Sequence, residues 1–230
     1  VGFFASSGIL NRRGFFGGVF APSNIAGLQL WLDATIGLFD TSTGGNKVTT
    51  NGSSIARWED QSGNANHAIQ VNAVNQFVLQ TLGKNNKNTV KSDGNYRFMN
   101  VNQITSLGTF FIVLKQTTYK DFGVVLNSTT NFGFHSNSNG NYMYPSDFIS
   151  NENLNGSSVT VPVYPSALKL FDGVFKVFDG DTTGWNLKTI SSEFQSPNGE
   201  YAEIVVYNSN LTSSQKNLVR NYLNSKWALY

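Results

Sequence analysis

The chain has no cysteine in 230 residues, which removes disulfides, thiol nucleophiles and thiolate metal sites together. A small disulfide-stapled ectodomain is therefore excluded. Charge is also scarce: Asp, Glu, Lys and Arg make up 13% of the chain, about half the usual share. Histidine occurs twice, as His67 and His135, with no HExxH and no second ligand at helical spacing to suggest zinc. A GxSxG elbow, a Walker loop and a GxGxxG opening a helix are all missing. No segment approaches the ~18 consecutive apolar residues that a membrane helix needs.

What takes the place of charge is neutral and polar. The chain carries 29 Asn and 22 Gly beside 18 Phe, 9 Tyr and 4 Trp, so it has a sizeable core to bury and long polar loops to connect it. The formal net charge is +2 and the basic residues are dispersed. The nearest thing to a basic cluster is Lys84, Lys87 and Lys91, in a loop of Asn and Gly, so nucleic acid is not an expected partner.

Residues 1–22 stand apart. They hold two Phe-Phe pairs, no acidic residue and no period of 2 or 3.6. Arg12 and Arg13 between the pairs look like a twin-arginine motif, but Gly17 to Pro22 is too short and broken for the apolar stretch of an export signal. This segment is expected to be an extended arm, with Phe3, Phe4, Arg12, Arg13, Phe15 and Phe16 docking the domain onto a partner protein; a strand packed on its own domain is the alternative.

From Leu28 onward, short apolar runs recur between turn clusters: LQLWLDA (28–34), IARW (55–58), YRFMNV (96–101), GTFFIVLKQ (108–116), FGVVLN (122–127), NFGFH (131–135) and NYMY (141–144). After a polar loop come VTVPVY (159–164), GVFKVFD (173–179), WNLKTI (185–190) and YAEIVVYN (201–208). About eleven short strands at this spacing predict an all-β, two-sheet antiparallel jelly-roll sandwich over 23–230. Pro162 demotes its run to an edge or an irregular segment. Only the end reads as a helix, near 212–226: Thr212 and Gln215 have capping-box spacing, and Leu218, Val219, Tyr222, Leu223 and Trp227 form an apolar stripe. Lys216, Asn217, Arg220, Asn221 and Asn224 fall on the polar face, and the helix is expected to cover an edge or end of the sandwich. Asp60 is placed to form an Asx turn over Ser62-Gly63, with Gly63 supplying positive φ. Trp31, Trp58 and Trp227 read as packing residues.

The two ends of the domain resemble a known group. IAGLQLWLDA (25–34), IARWEDQSGNANHAIQ (55–70) and the closing YAEIVVYNSNLTSSQKNLVRNYLNSKW (201–227) are similar to the concanavalin A-like (laminin-G/pentraxin-type) jelly rolls of bacteria and bacteriophages. The middle, 71–190, matches only in strand spacing. The family includes enzymes, lectins and structural modules, so the fold alone assigns no activity. Its enzymes commonly show a Glu-x-Asp-x-Glu-like strand, and glycosidases need two carboxylates about 5–10 Å apart. The nearest approaches here are Asp179/Asp181, which reads as a turn in FDGDTTG, and Glu200/Glu203, whose odd spacing is expected to put them on opposite strand faces.

Related domains often bind calcium, which makes Asp179, Asp181 and Asp60 candidate oxygen donors; otherwise no cofactor is expected. Sugar binding suits the composition best, through aromatic platforms and amide or carboxylate groups. Tyr142, Tyr144, Asp147, Asn151 and Asn153 in the 136–158 loop, with Trp185, are the candidate glycan contacts; the alternative is a solvated loop with its tyrosines packed on the sheet. The resemblance implies a non-enzymatic bacteriophage virion protein, a head decoration, fibre or tail component. Such a protein is held by its N-terminal arm in a homo-oligomer or larger assembly and displays a lectin-like domain to host-surface glycans. A carbohydrate-binding module of a secreted or cell-surface bacterial protein and a glycoside hydrolase or lyase are the alternatives.

Overall fold

The computed structural model describes residues 20–118, 123–128, 134–136, 142–143, 149–158, 173–191 and 196–230. Among the described residues fifteen strands precede one α-helix. The strands are β1 Leu28–Asp33, β2 Leu38–Phe39, β3 Ser54–Ile55, β4 Arg57–Trp58, β5 Ala68–Ile69, β6 Phe77–Gln80, β7 Thr89–Asp93 and β8 Met99–Thr118. They continue with β9 Gly123–Ser128, β10 Phe134–Ser136, β11 Tyr142–Met143, β12 Ile149–Leu154, β13 Ser157–Ser158, β14 Lys176–Ile190 and β15 Asn198–Tyr207. The helix is α1, Ser213–Trp227.

Two antiparallel sheets share the long strands β8 and β14. In one sheet the second half of β8 lies between β14 and β15, and β15 in turn carries β7 and β1. In the other, the start of β8 meets β5 at Asn100 and the end of β14 pairs with β9. The β8–β14 register shifts three times between Asp181 and Thr189, where both strands pass from one sheet to the other. Strands that change sheets through such irregularities make the corners of a sandwich.

The expected strands differ from these in two ways: short pairings such as β2, β5 and β13 add strands outside the expected runs, and some expected runs merge. YRFMNV and GTFFIVLKQ are parts of one continuous ladder, and so are GVFKVFD and WNLKTI. FDGDTTG is therefore not a turn: Asp179, Gly180 and Asp181 pair with Phe111, Phe110 and Thr109. Local turn chemistry loses to backbone pairing with strands on both sides.

Alternation divides the core in two. Phe110, Ile112 and Leu114 join Trp58, Phe77, Phe178 and Ile204 between the sheets. Phe111 and Val113 point the other way, with Val177 and Val205, and meet Val219, Leu223 and Trp227 of α1. The helix thus covers the outer face of one sheet, not an edge or end of the sandwich. Its capping box is formed, with Gln215 N–H donating to Thr212 Oγ1 and Thr212 N–H to Gln215 Oε1. Lys216 and Arg220 are buried while Leu218 is exposed, so the sheet beneath α1 takes part of the face that the sequence marks as polar.

Residues 1–19, which carry Phe3, Phe4, Arg12, Arg13, Phe15 and Phe16, lie outside the described residues. Phe20 packs edge-on against Tyr222 at 6.2 Å, and Tyr207 donates a hydrogen bond to the Pro22 carbonyl at 2.9 Å. Phe20 to Pro22 therefore lie against the domain. A tighter constraint sits at Gly108, where a Cβ would run into the Ser209 backbone. Next to it, Leu211 N–H donates to Thr109 Oγ1 at 2.8 Å, fixing the entry into α1. Gly108→Ala is expected to destabilise the domain by about 1–3 kcal/mol through overpacking, measured as a lower urea midpoint with unchanged slope.

Candidate functional site

The carboxylates proposed for calcium are held by the helix. Asp179 and Asp181, two apart on β14, face outward, and Lys216 and Arg220, four apart on α1, face them. Arg220 grips Asp179 with a two-bonded fork, Nε to Oδ2 at 2.8 Å and Nη2 to Oδ1 at 2.7 Å. Lys216 Nζ reaches Asp181 Oδ2 at 2.7 Å, and Thr109 donates to Asp181 Oδ1 at 2.7 Å. Asn153, expected in a glycan site, donates its amide to Asp179 instead. Burial pushes the Asp179 carboxyl above its ordinary range against the pull of Arg220. Burial alone would lower Arg220, but the Asp179 carboxylate prevails and holds it above its ordinary value. Asp179 and Asp181 are thus each held in a buried ion pair with a cation of α1.

Asp60 is engaged as well. Its Oδ1 accepts from Ser62 N–H at 2.9 Å, the expected Asx turn, and from Trp31 N–H at 2.8 Å; Oδ2 accepts from Ser62 Oγ and Asn66 N–H. Gly63 has φ +90°. His67 closes this loop, with Nδ1 accepting from Asp60 N–H and Nε2 beside Arg57; burial, then Arg57, lowers its pKa. No group of three or more His, Cys, Asp or Glu is arranged for a metal ion among the described residues.

Glu200 and Glu203 correct the sequence reading. The β15–β8 register shifts between Tyr201 and Glu203, and this bulge turns Glu203 to the same outer face as Glu200. Their surroundings differ. Glu203 is fully buried beneath α1, where Oε1 accepts from Trp31 Nε1 at 2.7 Å and from Tyr222 Oη at 2.9 Å. Its Oε2 accepts from Trp227 Nε1 at 2.6 Å and from Lys226 Nζ at 2.8 Å. Lys226 also pairs with Asp33. Burial and then Asp33 push the Glu203 carboxyl up, opposed by Lys226; burial and then Glu203 push the Tyr222 phenol up. Two of the three tryptophans expected to pack thus also anchor this carboxylate.

Glu200 lies elsewhere, at the floor of a cleft of about 420 Å³ lined by Gln80, Lys84, Lys115, Phe175 and others. Lys115 Nζ meets its Oε1 at 2.5 Å and Thr89 donates to Oε2 at 2.7 Å. This cleft was not legible in the sequence as a site, because its residues come from strands far apart in the chain.

Of the candidate glycan contacts, Tyr144 and Asp147 lie outside the described residues. The backbone places Tyr142 on β11, opposite Ser136, and three strands away from β14. Asn151 lies on β12, which pairs with β14, and Trp185 lies within β14, opposite Leu107. The strand order therefore puts Asn151 beside the strand that carries Trp185, and Tyr142 at the far side of β9 and β10.

No protein-family model matches the chain, and no curated protein sequence matches it. Among solved structures, a Trypanosoma rangeli sialidase in complex with 2,3-difluorosialic acid as a covalent intermediate is similar at 13% identity and a TM-score of 0.47. The match covers 88% of this chain and 33% of that one, so the chain spans about a third of that structure's length. No residue role follows from it.

Proposed function

We propose that this chain is a concanavalin A-like jelly roll that works as a non-enzymatic, lectin-like display domain of a bacteriophage virion. The opening LQLWLDA and closing NYLNSKW segments support the family, and the two-sheet sandwich with one C-terminal helix accommodates it. The observation that carries the non-enzymatic reading is the fate of the outer-face carboxylates. Asp179, Asp181 and Glu203 each sit beneath α1 in contact with a cation of that helix. A general acid or nucleophile must reach a substrate, and these groups reach the helix. The Phe- and Gly-rich stretch before Phe20 supports an assembly role, because exposed Phe pairs are a liability on a free monomer.

Two experiments test this. Incubation with a panel of polysaccharides is expected to give binding without new reducing ends; turnover that Glu200→Gln abolishes would overturn the reading. Deleting residues 1–19 is expected to leave the thermal midpoint nearly unchanged and abolish incorporation into particles. A collapsed midpoint with assembly intact would overturn the anchoring role.

A further inference from the structure

We propose that the cleft above Glu200 is a binding site for the carboxylate of an acidic sugar, an inference that rests on the lectin-like reading and places its ligand outside the 136–158 loop. The outer sheet face is apolar under α1 but changes character beside it. Gln80 on β6, Thr89 on β7, Glu200 on β15 and Lys115 on β8 make a polar row across four adjacent strands. Gln80 stands opposite Thr89, and Glu200 stands opposite Lys115. Directly opposed residues of antiparallel strands share a face, so the row is a floor set by the sheet.

The walls are two turns. One is Leu82 to Lys84, tied to the end of α1 by Asn85 Nδ2 donating to the Lys226 carbonyl at 2.9 Å. The other is Gly173 to Phe175, whose Gly173 N–H donates to the Gln116 carbonyl at 3.0 Å. At about 420 Å³ the space falls within the range of small-ligand sites.

Charge selects the ligand. Lys84 and Lys115 line the cleft, and Lys91 is the residue opposite Glu200 on β7. Two ammonium groups thus line the cleft beside one carboxylate, and both oxygens of that carboxylate are already engaged by Lys115 and Thr89. An ammonium has three donors. Lys115 directs one to Glu200, and the half-buried Lys84 side chain enters no ion pair or hydrogen bond among the described residues. The cleft therefore offers donors in excess of its own acceptors, which fits an anion. The remaining surface fits a sugar ring carrying that anion. Leu82 and Val174 present exposed apolar groups at the rim, and Gln80, its amide held on the Thr81 carbonyl, faces the hydroxyls. Lys84, set in a loop by sequence alone, acquires a purpose once Lys115 and Glu200 fold beside it.

The test is calorimetric titration of the full chain with glucuronate and galacturonate, against glucose, galactose and inorganic phosphate. Lys84→Gln is the variant, since Lys84 holds no partner whose loss would unfold the domain. Saturable binding of a uronate is expected, weakened about tenfold or more both by Lys84→Gln and by replacing the uronate with its neutral sugar. Uronate binding no tighter than that of the neutral sugar, phosphate bound as tightly as uronate, or binding indifferent to Lys84→Gln would each overturn the proposal. Neutral glycans bound on an array equally by wild type and Lys84→Gln, with no uronate bound, would remove this cleft and leave the lectin-like reading standing. An array with no glycan bound at all would remove both.

Discussion

Glu203→Leu is expected to lower the unfolding free energy by about 3–5 kcal/mol, as removal of one partner from a buried charged network does. The substitution leaves the Trp31 and Trp227 indole N–H groups and the Tyr222 hydroxyl without their common acceptor, and Lys226 with Asp33 and the Tyr222 hydroxyl oxygen. Each buried donor left unmatched costs about 1–3 kcal/mol. Glu203→Gln keeps one acceptor oxygen and is expected to cost less. Urea unfolding followed by tryptophan emission measures both, because two of the affected donors are tryptophans. A Glu203→Leu loss below about 1 kcal/mol would show that this cluster does not hold the helix.

Arg220→Met is expected to be comparably severe, at about 3–5 kcal/mol, because Asp179 is fully buried and loses its two-bonded partner. The informative comparison is the double variant Asp179→Leu with Arg220→Met. Replacing both members of a buried ion pair by apolar groups of similar volume is often neutral or stabilising, so the double variant is expected to recover most of the loss. Such strong non-additivity is what contact between the two sites requires. Losses that simply add would place Asp179 and Arg220 in separate environments and contradict the seal between β14 and α1.

These two sites mark where sequence reasoning ends. LQLWLDA, the Asp60 turn, Trp58 as core and the capped C-terminal helix were legible because each rests on local chemistry: alternation, an Asx turn, bulk, and a capping box. Asp179 and Asp181 were not, since FDGDTTG carries strong local turn signals that only pairing with a distant strand overrides. The face of Glu203 depends on a single-residue bulge, and a bulge reverses every spacing argument across it without leaving a mark in the spacing itself. The polar stripe of α1 misled for a related reason. Lys216 and Arg220 look like solvent-facing residues until the carboxylates opposite them are known to lie on a strand. Read as a strand, the i, i+2 acids would have matched the i, i+4 cations of the helix, and that was the available signal. The cleft over Glu200 had none, because Gln80, Lys115 and Glu200 meet only through sheet order.

The proposed lectin-like domain whose carboxylates serve structure is tested most sharply by mass analysis of a glycan recovered from its complex with the protein. A glycan identified by array binding is incubated with stoichiometric protein, isolated as the complex, and released. It is expected to return intact in mass after prolonged incubation. Shortened chains from the wild-type protein, absent with Glu200→Gln, would contradict it.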